Sequence, residues 1–194
     1  MRRGAPPSSP WAGRMPPEGL RAGRKTGAPK GASMWDIRKG PIWTDTIRDA
    51  GLAMMTGLAD STQLHQLLIN LGTNAWHALE GKPGDIEIVV DEVVLDAGAA
   101  HEAGARSGGP HVHIAVRDNG VGMDEETQAR IFEPFFTTKP VGKGTGLGLA
   151  VVHGIVRGHG GGIVCRSVRG AGSTFHVYLP AAESPAIESA AAPS

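Results

Sequence analysis

The chain has 194 residues, the size of a single domain with or without a tail. Lys plus Arg and Asp plus Glu each number 19, and the resulting zero net charge argues against a uniformly basic nucleic-acid-binding protein. A lone cysteine, Cys165, excludes a disulfide framework within the chain and a multi-thiolate metal site, and favours a reducing compartment, the cytoplasm. The apolar runs are too short to cross a bilayer. We therefore expect no nucleic-acid partner and no direct membrane span.

The two ends of the chain differ from its middle in composition. Residues 1–33 contain six Pro, six Gly and seven Arg or Lys against one acid, which predicts a disordered basic tail. That tail is either dispensable, or a misassigned start, or an interaction segment. Residues 34–59 keep neither helical nor strand periodicity and predict an irregular lead-in or linker remnant with one short element. Residues 60–180 carry the regular patterns of a folded domain, and residues 181–194 predict a second disordered tail.

The first long helix is predicted from Ser61, because apolar residues recur from there at steps of three and four. These residues are Leu64, Leu67, Leu68, Leu71, Ala75, Ala78 and Leu79. Asn70, Asn74 and His77 project from one stripe beside that apolar face. Such a stripe is either a solvated polar surface or a ligand site, since a neutral amide oxygen suits Mg²⁺ that is shared with substrate phosphates.

Two strands are predicted after this helix, with a small and Gly-rich loop between them. The strands cover residues 86–96 and 112–117, and the loop covers residues 97–110. The second strand brings Asp118 to its carboxyl end, where two following glycines allow a tight turn and a close approach of backbone to a ligand. There Asp118 can accept a hydrogen bond from an exocyclic amine such as that of adenine. The alternative is an Asp-Asn-Gly turn within a hairpin.

An aromatic segment follows a short helix predicted over residues 124–131. Residues 132–139 hold three of the four phenylalanines of the chain. Aromatic side chains in this place anchor a mobile glycine-rich lid on the domain or, for Phe132 and Phe135, fill the core. Lys139 is the expected ligand contact.

The lid itself is predicted from four glycines at every second position, Gly142 to Gly148, which open directly into a helix over residues 147–157. Bare amides at a helix amino terminus form an anion site, and Lys143 adds a point charge. A flexible linker would also be Gly-rich but would not lead into an amphipathic helix. The spacing fits neither a Walker A loop nor a dinucleotide-binding turn.

A hairpin is predicted at the end of the domain from strands over residues 163–168 and 174–179. Helix, strand, strand, helix, helix, strand, strand is therefore the order of the predicted elements. This order predicts an α/β domain with one mixed sheet and helices on one face.

Four motifs in this order resemble the ATP-binding catalytic domain of sensor histidine kinases, in the superfamily that also holds DNA gyrase B, the Hsp90 chaperone and MutL. They are Asn70-Leu-Gly-Thr-Asn74-Ala75, Asp118-x-Gly120-x-Gly122, Phe132-Glu-Pro-Phe-Phe136 and Gly144-x-Gly146-Leu-Gly148-Leu149. The resemblance covers about residues 60–180, and it includes the closing Gly172-Ser-Thr-Phe175 hairpin. It implies the Bergerat fold, a two-layer α/β sandwich with a mixed, mostly antiparallel sheet, helices on one face and a mobile ATP lid.

The resemblance also implies a role for each site residue. Asp118 would receive the adenine amino group, with Gly120, Gly122 and Thr174 close by. Asn74 would coordinate Mg²⁺ with Asn70 supporting it. The phosphates would be held by the side chains or amides of His77, Lys139, Lys143, Gly144, Thr145, Gly146, Leu147 and Gly148.

The expected reaction follows from one departure within the superfamily. The gyrase and Hsp90 branch hydrolyses ATP with a glutamate one helical turn before its Mg²⁺ asparagine. Here that turn holds Asn70, which cannot take a proton from water. Transfer of the γ-phosphoryl group to a protein side chain, where positioning and charge neutralisation do most of the work, is the better interpretation.

The expected acceptor is a histidine outside this domain. Only 69 residues precede Asn70, and the first histidine, His65, lies within the predicted helix. We therefore expect a phosphoacceptor domain in cis in a longer protein or in trans, followed by a response regulator. Two alternatives remain: an ATP-binding regulatory module or inactive fragment without transfer, and a serine kinase of the anti-sigma type.

Overall fold

The structure is a computed structural model that describes residues 21–22, 35–36, 40–41, 61–139 and 144–181. Its strands are β1 (Arg21–Ala22), β2 (Trp35–Asp36), β3 (Gly40–Pro41), β4 (Ile86–Leu95), β5 (Gly109–Asp118), β6 (Gly162–Val168) and β7 (Gly172–Pro180). Its helices are α1 (Ser61–Ala78), α2 (Ala97–Ala103), α3 (Glu125–Arg130) and α4 (Gly148–Gly158). Apart from β1 to β3, the predicted basic tail and lead-in lie outside the described residues, as does the second tail after residue 181.

The main sheet has the strand order β1-β4-β5-β7-β6, and β2 pairs with β3 in a separate two-stranded sheet. Every described strand pair is antiparallel. The predicted α/β architecture is thus confirmed, but the parallel component of the expected mixed sheet is absent from the described strands. The connections from β4 to β5 and from β6 to β7 each reverse the direction of the chain, so the strands they join are antiparallel. β7 also runs antiparallel to β5, its other neighbour.

The core lies between one face of this sheet and helices α1 and α4. Strand alternation turns Ile114, Val116, Phe175 and Val177 toward the helices, where all four are buried. The apolar stripe of α1 packs against them, as its periodicity predicts. No helix in the described part of the chain combines the length and the apolar character that a membrane crossing requires.

Helix α2 lies where the sequence predicts a loop, and that prediction is wrong. The Asp96 side chain accepts a hydrogen bond from the Ala99 N–H at 2.8 Å, and Gly104 ends the helix with a left-handed φ of 72°. The small residues that resemble a loop in sequence form a buried alanine face, Ala99, Ala100 and Ala103. This face packs on Val93, Leu95 and Tyr178.

The position of α2 also corrects the expected layering. The even-numbered residues Ile86, Ile88 and Val90 of β4 pack in the α1–α4 core. Side chains alternate along a strand, so the odd-numbered Val93 and Leu95 lie on the opposite face of the sheet. Helices therefore lie on both faces, with α2 covering only one end of the second face.

Candidate functional site

A cavity of about 680 Å³ lies beside α1, the carboxyl end of β5 and the start of α4. Its volume is in the usual range for a small-molecule site. It brings together ten of the fourteen predicted site residues: Asn70, Asn74, His77, Asp118, Gly122, Lys139, Gly144, Thr145, Gly146 and Gly148. The described residues contain no group of three or more His, Cys, Asp or Glu able to hold a metal.

Asp118 is the buried carboxylate of the cavity. It is the last residue of β5, as predicted, and only 2% exposed. Burial raises the pKa of this carboxyl, while the backbone N–H groups of Gly120 and Ser173 act in the opposite direction. The Gly120 N–H donates to Oδ1 at 2.9 Å, which leaves acceptor capacity for a ligand donor. The stretch after Asp118 leads into α3, so the hairpin-turn interpretation is wrong.

Two glycines after Asp118 are needed because backbone approaches backbone. A Cβ at Gly120 would overlap the carbonyl of Ala78, to which the Val121 N–H donates at 2.9 Å. Gly122 has a φ of +62°, and a Cβ there would overlap the carbonyl of Val168. Gly122 lines the cavity, whereas Gly120 does not. Gly120 instead fixes Asp118 from behind through its N–H.

Asn70, Asn74 and His77 occupy one stripe of α1 that faces the cavity. Both asparagines are half-buried, which disfavours the solvated-surface interpretation. Asn70 Nδ2 is buried and has no hydrogen-bond partner among the described residues. An ideal Cβ on Gly148 would be 3.6 Å from Asn70 Oδ1 and 3.9 Å from Asn74 Nδ2, so the start of α4 lies against both amides. An unpartnered amide beside a second amide fits an oxygen-rich ligand and a hard cation.

His77 and Lys139 meet at the cavity, with Lys139 Nζ 2.9 Å from His77 Nδ1. Burial and the neighbouring Lys139 charge lower the pKa of His77, and burial lowers the pKa of Lys139. The lowered pKa of His77 favours a neutral imidazole, whose Nδ1 can accept a hydrogen bond from the Lys139 ammonium group. The pair is therefore a positioned cationic donor for an anion.

The aromatic segment and the lid glycines pack directly on each other. The Phe135 N–H donates to the Gly146 carbonyl at 2.9 Å, and a Cβ at Gly146 would overlap the Phe135 main chain. Phe132 and Phe136 pack against the core, and Phe132 stacks on His153. Phe135 is 73% exposed with a left-handed φ of 68°, so core packing is wrong for this residue. It points outward because its backbone follows the glycine run.

Three predicted residues do not line the cavity, and one lies outside the described chain. Gly120 lies outside the cavity and donates its N–H to Asp118, and Leu147 is 39% exposed at the start of α4. Thr174 is the register partner of Arg117 and lies on the other side of β7. Lys143 falls within residues 140–143, which are not described, so its role and the mobility of the lid stay predictions.

Sequence reasoning missed other residues of the cavity. Ser173 and Phe175 line it in place of Thr174, because alternation puts every second residue of β7 on one face. The apolar period of Phe175, Val177 and Leu179 contained that signal. Among the other missed residues, several come from loops and from α3, for which no periodic signal exists: Met123, Thr127, Phe136, Thr137 and Thr138.

Cys165, the single cysteine of the sequence, does not line the cavity. Burial, with nearby Asp118, raises the pKa of the Cys165 thiol to about 12, so the thiol stays protonated at neutral pH. The cavity combines a buried acceptor, an amide pair, a cationic donor and a glycine-rich run before a helix. Together the fold and the cavity define an α/β nucleotide-binding domain.

Comparison with known proteins gives the family. The family described as histidine kinase-, DNA gyrase B- and HSP90-like ATPase matches residues 59–183. The chain belongs to this family, and its resemblance to the ATP-binding catalytic domain of histidine kinases is confirmed.

Three curated relatives illustrate the similarity. The sensor kinase CckA of Brucella abortus is 41% identical over 134 residues, 68% of this chain and 14% of the relative. The two-component sensor PprA of Pseudomonas aeruginosa is 45% identical over 129 residues, 66% of this chain and 13% of the relative. The sensor histidine kinase ZraS of Escherichia coli is 43% identical over 122 residues, 63% of this chain and 22% of the relative. The chain thus spans less than a quarter of each.

Proposed function

We propose that the chain binds Mg-ATP in this cavity and transfers the γ-phosphoryl group to a histidine of another domain or chain. The observation that carries the proposal is the wall formed by α1. One helical turn before Asn74 it presents the half-buried carboxamide of Asn70, not a carboxylate that could deprotonate water. Glu80 also lines the cavity, but it follows α1, is exposed, and pairs with Lys82 at 3.6 Å. Hydrolysis is disfavoured, and transfer to a protein acceptor is the alternative outcome.

Base recognition is assigned to the Asp118 end of the cavity. The carboxylate would accept a hydrogen bond from the adenine amino group, and its oxygens are already oriented by the N–H groups of Gly120 and Ser173. Gly122 would let the base approach the backbone. Ser173 replaces Thr174 as the neighbouring hydroxyl.

Phosphate binding is assigned to the cationic pair and the lid. Lys139, oriented by His77, would donate to a phosphate oxygen, and the amides of Gly144, Thr145, Gly146 and Gly148 would do the same at the start of α4. Lys143 would add a second cation. The Asn74 side-chain oxygen would hold Mg²⁺, with Asn70 supporting, and the ion when bound would neutralise charge on the phosphates.

The acceptor is proposed to dock beside the lid. Phe135 of the aromatic segment, Leu147 at the end of the lid and Val151 in the first turn of α4 are exposed large apolar side chains. Exposed apolar side chains grouped in this way are typical of a protein–protein interface, here with a helical partner. In the transfer, an unprotonated ring nitrogen of the acceptor bonds to the γ-phosphorus as the bond to the β,γ-bridging oxygen breaks, and ADP leaves with that electron pair.

A response regulator would then take the phosphoryl group, and the cytoplasm, where ATP is supplied, is the proposed compartment. The test is incubation of the chain with γ-labelled ATP and a panel of purified histidine phosphoacceptor domains. We expect labelled acceptor that loses its label in acid, because phosphohistidine is acid-labile. An acid-stable label would indicate a serine kinase, and ATP binding without transfer to any acceptor would indicate a regulatory module.

A further inference from the structure

Gln128 of α3 and Ser167 of β6 form a paired contact behind the cavity wall. The Ser167 N–H donates to Gln128 Oε1 at 3.0 Å, and Gln128 Nε2 donates to the Ser167 carbonyl at 3.1 Å. The side-chain amide thereby occupies both main-chain groups of an edge-strand residue, as a neighbouring strand would. Neither residue lines the cavity, and both are half-buried.

Both residues also hold the main chain of Met123, which does line the cavity. Gln128 Nε2 donates to the Met123 carbonyl at 3.2 Å, and the Met123 N–H donates to Ser167 Oγ at 2.7 Å. The two polar groups of one cavity residue are thus fixed from behind by two residues 39 positions apart. Movement of either residue would displace this part of the wall.

Ser167 also reaches the other side of the base-binding end. Its Oγ lies 3.0 Å from the Gly172 carbonyl, to which it donates, and 2.9 Å from Ser173 Oγ. Ser173 lines the cavity, is buried, and pairs in register with Asp118. Because the single hydroxyl proton of Ser167 goes to the Gly172 carbonyl, Ser167 Oγ accepts from the Ser173 hydroxyl, and Ser173 then offers a lone pair to the cavity.

These contacts bear on which base the cavity accepts. The pairing edge of adenine presents an amino donor and a ring acceptor, whereas guanine presents a carbonyl acceptor in place of that donor. The Asp118 carboxylate matches the first and repels the second, provided that Asp118, Ser173 and Met123 keep their spacing. A buried polar contact rejects the wrong partner strongly only when the site is rigid.

We propose that Gln128 and Ser167 are positioning residues for base selectivity. They tie α3 to the edge strand β6, fix Met123 and Ser173 relative to Asp118, and thereby set the preference for adenine over guanine. This inference rests on the proposed function, because it concerns the same nucleotide site. Neither residue touches the nucleotide.

The decisive variant is Gln128→Glu, which keeps the shape of the side chain. It replaces the Nε2 donor by an oxygen that faces the carbonyls of Met123 and Ser167, so both hydrogen bonds become repulsive. Gln63→Glu is the matched control, since among the described residues the exposed Gln63 side chain is bonded only through Oε1, toward His159, and the variant keeps that acceptor. Dissociation constants for ATP, GTP and adenosine are measured by calorimetry on the whole chain.

We expect Gln128→Glu to weaken ATP and adenosine binding about tenfold or more and to reduce the ATP-to-GTP preference by a similar factor. Gln63→Glu should match the wild-type chain. Ser167→Ala should act like Gln128→Glu, and Ser167→Thr, which keeps the hydroxyl, should recover most of the preference. A role confined to stability would lower the unfolding temperature but leave the ratio of the two affinities unchanged.

The outcomes separate the two claims. If the wild-type chain binds ATP and folded Gln128→Glu and Ser167→Ala discriminate ATP from GTP as well as it does, the positioning role is refuted and the proposed function stands. If Gln128→Glu does not fold, Ser167→Ala alone decides by the same ratio. If the wild-type chain binds no ATP, the proposed function fails and this inference fails with it.

Discussion

Gly170 in the turn between β6 and β7 and Gly172 at the start of β7 form a matched pair that tests how the base-binding end is built. Gly170 and Gly172 both have a positive φ, +79° and +91°. A Cβ at Gly170 would meet nothing within 4 Å, whereas a Cβ at Gly172 would overlap the Asp118 carbonyl and lie 2.8 Å from Asn119 Cα. Replacement by alanine therefore imposes a similar backbone cost at both positions and a backbone collision at only one.

The magnitudes follow from these two terms. The left-handed conformation costs alanine about 1–2 kcal/mol at either position, and the loss of unfolded-state freedom offsets it by about 0.4–1 kcal/mol. Overpacking adds about 1–3 kcal/mol at Gly172 alone. The Asp118 main chain cannot move away easily because it is paired with both Ile86 and Ser173. We expect Gly170→Ala to cost about 1 kcal/mol of unfolding free energy and Gly172→Ala about 1–3 kcal/mol more.

The assay is urea unfolding followed by far-UV circular dichroism, combined with an ATP titration of each folded variant. Gly172→Ala should also weaken ATP binding, because Asp118 is displaced, while Gly170→Ala should bind ATP like the wild-type chain. Unfolding free energies that agree within about 0.5 kcal/mol for the two variants would refute the argument that Gly172 is required by the approach of β5.

Two further predictions concern pH and the acceptor. Burial, with neighbouring His113 and Arg166 and against the effect of Asp91, lowers the pKa of His176 to about 4. The unfolded chain therefore binds this proton below about pH 6.5 and the folded chain only below about pH 4. The unfolding free energy, measured with denaturant, should fall by roughly 2 kcal/mol as the pH is lowered between these values. His176→Gln should reduce this dependence on pH, and an unchanged dependence would contradict the assignment to His176. Phe135→Asn should leave stability unchanged or higher, since Phe135 is exposed with a φ of 68° and asparagine tolerates that conformation. Phe135→Asn should also reduce phosphoryl transfer to an acceptor domain about tenfold at unchanged ATP affinity. The control Val89→Thr, at an exposed position of β4, should change neither the transfer rate nor the ATP affinity. A transfer rate of Phe135→Asn equal to that of the wild-type chain would refute the docking role.

The parts of the fold that the sequence predicts are those set by local periodicity. The stripe of α1 and the delivery of Asp118 to the end of β5 follow from periods of three to four and of two, and both are confirmed. The error at Thr174 is a shift of one residue along β7, which reverses the face of the sheet. Helix α2 was missed because its Asp96 and Gly104 caps outweigh an alanine and glycine composition that looks like a loop.

The contacts that tune the site are long-range and leave no local pattern in the sequence. His77 and Lys139 are 62 positions apart, and Gln128 and Ser167 are 39 apart. Each contact exists only because the sheet and helices bring distant segments together. Single residues such as Gln128 therefore look unremarkable in sequence and acquire a role only in the folded domain.

The central claim is that the cavity binds ATP through the Asp118 carboxylate, and Asp118→Asn tests it directly. Asparagine has one acceptor oxygen, which stays with the Gly120 N–H, so its amide N–H groups would face the adenine amine. The matched control is Asp96→Asn. Asp96 caps the amino terminus of α2, away from the cavity, and asparagine is an equally good cap. Calorimetry should show ATP binding by the wild-type chain and Asp96→Asn, and a loss of about 30-fold or more for folded Asp118→Asn. Undiminished ATP binding by Asp118→Asn would contradict the account.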